Sequence, residues 1–469
     1  MAQVSELKAE QYVNAAVNRK VWDAVMYNVA TEGIYPGKDV TQKLQALINK
    51  AIAEDRKAIF FPHGQYYVTS LVNADKVSFI GDNASFIGGY TGVIQQLGDY
   101  SKDYLRRNEL FFNVRDFGAV GDGIADDSTA IQNCVNAAYA HSGSVYFPGG
   151  VYKITKTILF DQTSLVDSND RRRPNIKGEG SAQTRIVFLG LSGPAFHIKG
   201  GTSGEGHHSY QNVSGFFLVG NNVAGTTGMY SQNTAFLHSQ DIRISGFDYG
   251  IYCDDIEHSR FENVSLRFNQ KGIFARQNPA FYPVSTYPNN ISFASCHIGS
   301  NAEYGGWFIG PTTVNFSGGS IEANGITGTT GVNHGLRFED SGYQGGVGCI
   351  LTGVYFEQNK GIADVFIFTS TSAINPLNSC TYLIQGCSFS RISSTNFVSH
   401  NIWAHFAANG GQQMLNVIGC GFKRFNGYTA DASRTYIYFD GLPMSSSNRF
   451  FAGNMFMDAV EAVPQLTQP

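Results

Sequence analysis

Apolar and polar residues alternate in short segments that recur along the second half of the chain. Successive side chains of a strand point to opposite faces, so the first and third residues of each segment are predicted to point inward. Recurrence of this kind is typical of a solenoid, in which each repeat stacks on its neighbour. The segments begin at Val264, Cys296, Gly319, Val354, Cys387 and Cys420. The predicted inward anchors are Leu266, Ile298, Ile321, Phe356, Phe389 and Phe422.

A second strand is predicted after a turn or loop in each repeat. These strands begin at Ile251, Ile273, Trp307, Leu336, Val365, Ile402 and Ile437. Alternation within them leaves an outward column that is mostly aromatic: Tyr252, Phe274, Phe308, Arg337, Phe366, Trp403 and Tyr438. A large apolar patch is rarely left in water, so this column is expected to have a partner.

Asparagines recur three residues after four of the anchors, at Asn269, Asn301, Asn324 and Asn359. Asparagine tolerates a left-handed backbone and can form side-chain ladders between stacked strands. These positions are therefore predicted to be structural corners of the coils.

A motif near the N-terminus predicts how the solenoid begins. It runs Asp116-Phe-Gly-Ala-Val-Gly-Asp-Gly, and a helix is expected to start at an N-cap, Asp127 or Ser128. After this helix, Val145-Tyr-Phe-Pro-Gly-Gly predicts the first strand and its corner. The helix would close the open end of the stack.

A weaker copy of the same motif precedes it, with a helical run from Thr41 to Ala53 and strands around 58–68 and 77–87. Apolar spacing also predicts a helix in the first 30 residues. The predicted organisation is a helical segment over 1–30, a first capping module over 31–105, a second capping module with the first coils over 106–180, the stacked coils over 181–460 and a tail over 461–469.

The Asp116 motif and the coil pattern together resemble the pectate-lyase-like right-handed β-helix superfamily, and within it the tailspike and appendage proteins of bacteriophages. The resemblance implies an all-β protein, a right-handed parallel β-helix with N-terminal helical capping segments. It also implies a homotrimer that binds and cleaves bacterial surface polysaccharide, located in the virion tail or, after release, outside the cell. The superfamily contains lyases, hydrolases, epimerases and adhesins, so the reaction has to be argued from the site.

Composition limits the partners. The formal net charge of −4 gives no electrostatic reason to expect nucleic acid. No run reaches the roughly 18 apolar residues of a membrane span, and no secretory signal is visible at Met1, so synthesis in the host cytoplasm without membrane insertion is expected. The seven cysteines show no metal-binding spacing, and no metal or cofactor is predicted.

Two glutamates form the leading catalytic candidate. Glu322 and Glu357 occupy the same outward position of successive coils, where strands lie about 4.8 Å apart. Neighbouring carboxylates tend to share a proton, which would raise one pKa. One protonated and one ionised carboxyl group are what glycosidic hydrolysis requires. The alternative is that both are solvated surface residues.

Other candidates are weaker. Glu339 and Asp340, at the end of a strand in the aromatic column, could be catalytic, bind a cation or cap a turn. Predicted substrate contacts are Arg267, Arg337, Trp403, Tyr355 and His297. The aromatic column itself has two interpretations: it faces the axis of a homotrimer, or it stacks against sugar rings.

The predicted function is endo-acting hydrolysis of a host surface polysaccharide. A polysaccharide lyase and a teichoic-acid phosphodiesterase are the enzymatic alternatives. The calcium-carboxylate and arginine pattern of pectate lyases is not seen, which places calcium-dependent elimination second. A receptor-binding spike without activity is the non-enzymatic alternative.

Overall fold

The computed structural model describes residues 26–30, 32–55, 58–62, 64–81, 84–96, 111–140, 143–163, 174–200, 211–277, 288–325, 333–339, 348–369, 379–391, 398–406, 412–423, 436–441, 449–457 and 466–467. The chain divides into two compact units, residues 1–110 with 116–118 and residues 111–115 with 119–469. We call them the N-terminal unit and the β-helix unit.

The N-terminal unit contains one helix, α1, over Thr41–Ala53 and two small parallel sheets. One sheet comprises Met26–Asn28, Ala58–Phe61, Ser78–Gly81 and Gln95–Gln96, the other Gly64–Tyr67 and Ala84–Ile87, and a 3₁₀ turn covers Ala74–Lys76. The α1 bounds and the two strand regions agree with the sequence prediction. Of the N-terminal helix predicted over 1–30, residues 1–25 lie outside the described residues, and Met26–Asn28 form a strand instead.

The apolar face of α1 explains how this unit holds together. Leu44, Leu47, Ile48 and Ala51 recur at helical spacing and are buried. They belong to one core with the strand residues, where Phe61 packs edge-to-face on neighbouring aromatic rings at 5.1–5.5 Å.

The β-helix unit is built from two long parallel sheets. The 21-stranded sheet comprises Phe111–Asn113, Asp122–Asp126, Ser144–Phe147, Gly150–Ile154, Ile176–Gly178, Thr184–Phe188, Asn212–Val219, His238–Ser245, Arg260–Arg267, Ile291–Ala294, His297–Gly299, Val314–Ser317, Ser320–Glu322, Gly348–Thr352, Tyr355–Glu357, Ser379–Gln385, Ser388–Ser390, Gln412–Ile418, Gly421–Lys423, Arg449–Ala452 and Met455–Met457. The 11-stranded sheet comprises Ile158–Asp161, Gly193–Lys199, Thr226–Ala235, Tyr249–Glu257, Lys271–Arg276, Tyr304–Ile309, His334–Glu339, Gly361–Phe368, Val398–Phe406, Ile437–Gly441 and Leu466–Thr467. A 3₁₀ turn covers Val114–Phe117 and a helix, α2, covers Ser128–Ala140.

The stacking register confirms the predicted right-handed parallel β-helix. The predicted anchors pair rung over rung in the order Leu266, Ile298, Ile321, Phe356, Phe389 and Phe422. All six are at most 1% exposed. The interior is therefore a continuous apolar column. Within each of these strands, the residues on either side of the anchor point out of the coil.

The 21-stranded sheet spans two faces of each coil. One long strand crosses both faces in three successive coils, Asn212–Val219, His238–Ser245 and Arg260–Arg267, whereas the coils before and after these have two short strands each. In the first coil after Arg260–Arg267 the break falls at Ser295, whose backbone is left-handed with φ 53°. This division places the short strands His297–Gly299, Ser320–Glu322 and Tyr355–Glu357 on a face of their own.

The predicted asparagine corners form a buried hydrogen-bonded ladder. The side-chain amide of Asn301 donates to Asn324 at 2.8 Å, and that of Asn324 donates to Asn359 at 2.8 Å. Asn359 in turn donates to the carboxylate of Asp364 at 3.0 Å. The left-handed φ lies one residue earlier than expected, for example 54° at Ala323, because each asparagine side chain is turned inward to bond the next coil.

One rung of the aromatic column was assigned wrongly from the sequence. Phe274 pairs with Trp307, and Ala275 pairs with Phe308. Phe308 therefore points inward and is fully buried, whereas Trp307 takes the outward position. The slip by one residue arises because Gly306, which has no apolar side chain, occupies the inward position expected for an aliphatic anchor.

Helix α2 confirms the N-terminal motif. The Asp127 carbonyl accepts the Ile131 N–H at 2.9 Å and so begins the helix, while its carboxylate accepts the Val120 N–H at 2.7 Å and fixes the preceding turn. Gln132 bonds both backbone groups of Leu159, at 2.8 and 3.0 Å. Helix α2 thus supplies hydrogen-bond partners to the backbone of Ile158–Asp161, the first strand of the 11-stranded sheet. This strand is the edge of the sheet, where such backbone groups would otherwise lack partners.

Candidate catalytic face and aromatic face

Glu322 and Glu357 lie in register on adjacent coils, as predicted. They end the short strands Ser320–Glu322 and Tyr355–Glu357, whose central residues Ile321 and Phe356 fill the core. Both glutamates are half-buried and point out of the coil. We call this surface the dyad face. Its outward residues form two columns, Ser265, His297, Ser320, Tyr355 and Ser388 beside Arg267, Gly299, Glu322, Glu357, Ser390 and Lys423.

Polar neighbours hold the Glu322 carboxylate. The Ser320 hydroxyl donates to Oε1 of Glu322 at 2.7 Å, and Nε2 of His297 lies 3.1 Å from the same oxygen. Gly299 makes this approach possible, because a Cβ there would lie 3.2 Å from the His297 ring nitrogen. The His297 imidazole therefore lies beside the Glu322 carboxylate, in the space that the missing side chain of Gly299 leaves open.

The neighbours of Glu357 are different. The Tyr355 hydroxyl interacts with the side chains of both Ser390 and Glu357. Burial raises the pKa of Tyr355, and its contact with the Glu357 carboxylate acts in the same direction. At neutral pH this hydroxyl therefore keeps its proton and is able to donate it in a hydrogen bond.

His297 and Arg267 extend the same cluster. Arg267 lies one coil before Gly299 in the stacking register and two coils before Glu322. Burial lowers the pKa of His297, and the Arg267 charge lowers it further, whereas Glu322 opposes the shift. The imidazole is thus favoured in its neutral form, which can accept a proton. The dyad face brings together Glu322, Glu357, His297, Tyr355 and Arg267 from the sequence prediction.

The aromatic face is the outward surface of the 11-stranded sheet. Its central column pairs His197, Tyr230, Tyr252, Phe274, Trp307, Arg337, Phe366, Trp403 and Tyr438 in successive coils. Three of its six neighbouring ring pairs pack edge-to-face, for example Phe274 on Trp307 at 5.7 Å, and the others are tilted or stacked. The column is therefore a preorganised surface whose rings already support one another.

Glu339 and Arg337 are engaged with this column. Arg337 pairs with the Glu339 carboxylate at 2.8 Å, and the indole N–H of Trp307 donates to the same carboxylate at 3.0 Å. The guanidinium also lies 4.3 Å from the Trp307 ring centre and 5.1 Å from that of Phe366. Asp340, the other acid predicted there, lies outside the described residues.

Trp403 has an equivalent arrangement further along. Its indole N–H donates to Asp440 at 2.9 Å, and His405 lies 2.9 Å from the same oxygen. Because Arg337, Glu339 and Trp403 belong to the 11-stranded sheet, the structure does not bring them together with the dyad on the 21-stranded sheet. The predicted site residues thus divide between two faces.

One polar residue that contacts the dyad was not recognised in the sequence. Ser320 belongs to a strand whose anchor was predicted, and it follows from the same alternation once the register is known. The column also continues into earlier coils, because Ile242 and Ile244 pair with Val264 and Leu266. The alternating segment Ile242-Arg-Ile was the sequence signal that could have identified this earlier coil.

Among the residues that the structure describes, no group of three or more His, Cys, Asp or Glu side chains could hold a metal ion. No helix among them is long and apolar enough to cross a membrane.

A comparison with known families agrees with the pectate-lyase-like part of the resemblance seen in the sequence. Residues 111–321 match the family described as rhamnogalacturonase A/epimerase, pectate lyase-like. The matched segment begins at the first strand of the β-helix unit and ends one residue before Glu322.

Two curated relatives come from Azotobacter vinelandii. Mannuronan C5-epimerase AlgE1 is 46% identical over 65 residues, which is 13% of this chain and 5% of that protein. Alginate lyase 7 is 32% identical over 212 residues, which is 40% of this chain and 23% of that protein. The chain thus matches less than a quarter of the length of either relative.

Among solved structures, the enzymatically active domain of bacteriophage CBA120 tailspike protein 2 aligns with 14% identity and a TM-score of 0.48. The alignment covers 74% of this chain and 52% of that one.

Proposed function

We propose, from the premise that this chain is a right-handed β-helix protein of the pectate-lyase-like superfamily, that it cleaves a bacterial surface polysaccharide by hydrolysis of glycosidic bonds. The observation that carries this proposal is the pair Glu322 and Glu357, in register on adjacent coils of one outward face. Mannuronan C5-epimerase AlgE1 and alginate lyase 7 are named for activities on polysaccharides, which supports the substrate class.

The chemistry needs two carboxyl groups in different protonation states. One protonates the leaving oxygen, and the other attacks the anomeric carbon or activates a water molecule. Adjacent strands about 4.8 Å apart let two glutamate side chains reach carboxyl separations of roughly 5–9 Å, a range that includes retaining and inverting geometries. Tyr355 and Ser320 would orient the two carboxyl groups, and Arg267 would contact the substrate.

A second candidate reaction, β-elimination, is favoured by His297. Its neutral imidazole, 3.1 Å from Glu322, could take the proton next to a uronate carboxylate. Arg267 would neutralise that carboxylate, and the Tyr355 hydroxyl could protonate the leaving oxygen. The match to alginate lyase 7 is consistent with this reaction.

Product analysis separates these reactions. We expect purified chain, incubated with surface glycans of candidate bacteria, to release oligosaccharides with saturated ends and one added water per cleavage, as read by mass spectrometry. Unsaturated ends that absorb in the near ultraviolet would establish elimination instead, and phosphate-bearing ends would establish phosphodiester cleavage. Binding without any released fragment would contradict an enzymatic function.

The aromatic face is proposed as the interface of a homotrimer. Its central column continues through nine successive coils. Charges on this face are already paired within the chain, as in Asp254 with Arg276 at 2.9 Å. The alternative, sugar stacking on Trp403 and Arg337, would leave the chain monomeric.

Light scattering tests this assembly. We expect a particle of three times the 51.1 kDa chain mass, and dissociation when Tyr252→Asp buries a new charge in the interface. Phe450→Asp is the control, because Phe450 is 56% exposed on another face. A monomeric parent chain, or a Tyr252→Asp variant that stays trimeric, would exclude this interface.

Binding to a host surface and a virion-tail location are part of the same proposal. Both would follow if the glycan that the chain cleaves covers the bacterium on which its phage adsorbs.

A further inference from the structure

The dyad face continues below the glutamates into a stretch that carries arginines. The column of His297 and Ser320 runs back through Ser265 and Arg243 to Phe217 and Arg185, each in register with the next. Arg185 and Arg243 are exposed, and their guanidinium carbons lie 5.6 and 4.7 Å from the Phe217 ring centre. One aromatic ring thus orients two outward-facing cations.

These cations differ from three other arginines of the coils. Arg276, Arg337 and Arg391 each lie within 3.3 Å of a carboxylate. Within the ranges that the structure describes, Arg185 and Arg243 form no ion pair with an acidic side chain. The charges of Arg185 and Arg243 are therefore available to a ligand, whereas arginines on the aromatic face are neutralised by neighbouring carboxylates.

The position of the pair relative to the dyad indicates what the ligand is. Arg243 is three coil steps from Ser320 and Glu322, and Arg185 is five steps away, or about 14 and 24 Å at the spacing of parallel strands. Arg267 lies between them and Glu322. A polymer lying along the coil axis would therefore contact the arginines and the glutamates at the same time.

We propose that Arg185, Phe217 and Arg243 form a distal subsite for an anionic sugar unit of the glycan that reaches Glu322 and Glu357. The guanidinium groups bind the carboxylate or phosphate of that unit, a pairing for which arginine geometry is well suited. This subsite deepens the proposed function, and it rests on that function for the orientation of the glycan along the coil axis. It selects charged glycans over neutral ones of the same backbone.

Binding measurements on a catalytically silent chain test this subsite. In the Glu357→Gln background, calorimetry would compare alginate, polygalacturonate and wall teichoic acid with carboxyl-reduced alginate and carboxyl-reduced polygalacturonate. We expect at least one anionic polymer to bind, and the carboxyl-reduced form of a bound polyuronate to bind more weakly. Adding Arg243→Gln should weaken anionic binding about tenfold, and adding Arg185→Gln should weaken it further.

Arg260→Gln is the matched control, since Arg260 is 53% exposed, pairs with Glu262 and lies on a different face of the coil. Its affinity should stay within about twofold of the background. Equal affinity for charged and reduced polymers, no binding of any anionic polymer, or equal losses in Arg243→Gln and Arg260→Gln would overturn the subsite. Teichoic acid binding alone would identify the anionic group as phosphate. The calorimetry measures binding and not cleavage. A failed hydrolysis assay would therefore count against the role of Glu322 and Glu357 and would leave the binding result unaffected.

Discussion

Glu357→Gln is expected to reduce polysaccharide cleavage by roughly a hundredfold to ten-thousandfold, the range that a positioned acid or base contributes. Glutamine keeps the size of the side chain and can still contact Tyr355, but it neither exchanges a proton nor forms a glycosyl ester. Glycan binding and the folded structure should be retained, because Glu357 is half-buried on the surface of the coil. Initial rates of oligosaccharide release, with glycan affinity and circular dichroism measured in parallel, give the result.

The matched control for this variant is Glu262→Gln. Glu262 is also half-buried on an outward position, but it lies on the other face of the 21-stranded sheet and pairs with Arg260 at 3.1 Å. An exposed ion pair contributes about 1 kcal/mol or less, so its loss should leave turnover unchanged. If Glu357→Gln and Glu262→Gln cleaved at the parent rate, the dyad would have no role in the reaction.

Phe389→Ala is expected to lower the free energy of unfolding by about 3–5 kcal/mol, the usual cost of truncating a buried phenylalanine. Its ring stacks at 4.8 Å on both Phe356 and Phe422, with interplanar angles of 7° and 3°. Removing it leaves a cavity in the centre of the column, where strand pairing on both sides prevents collapse. The midpoint of guanidinium denaturation, followed by tryptophan fluorescence, should fall accordingly.

Hydrogen exchange would locate the damage caused by this substitution. In a solenoid each repeat contacts only its neighbours, so protection should fall mainly in Tyr355–Glu357 and Gly421–Lys423, the strands that pair with the truncated coil. Phe450→Ala, at an exposed site, should shift stability by no more than about 0.5 kcal/mol. A Phe389→Ala chain as stable as the Phe450→Ala control would mean that the stacked core does not stabilise the coils as described.

Much of the fold was predictable because its signals are local or repeat regularly. Helix α1 follows from apolar spacing within thirteen residues, and the anchors from Leu266 to Phe422 follow from alternation within short strands. The same alternation placed Glu322 beside Glu357. The slip at Phe308 shows the limit, since a glycine-containing strand offers no apolar side chain to fix which residues face inward.

The sequence by itself determined the stacking of the coils and the adjacency of the two glutamates, because strand alternation and a repeated anchor fix both without knowledge of distant contacts. Only the tertiary structure decided which candidates share a surface. His297, Tyr355 and Arg267 join the dyad, whereas Glu339, Arg337 and Trp403 pair among themselves on another sheet. The physical reason is that each coil turns through several faces between its strands, and loops of variable length set that turn without leaving a regular pattern in the sequence.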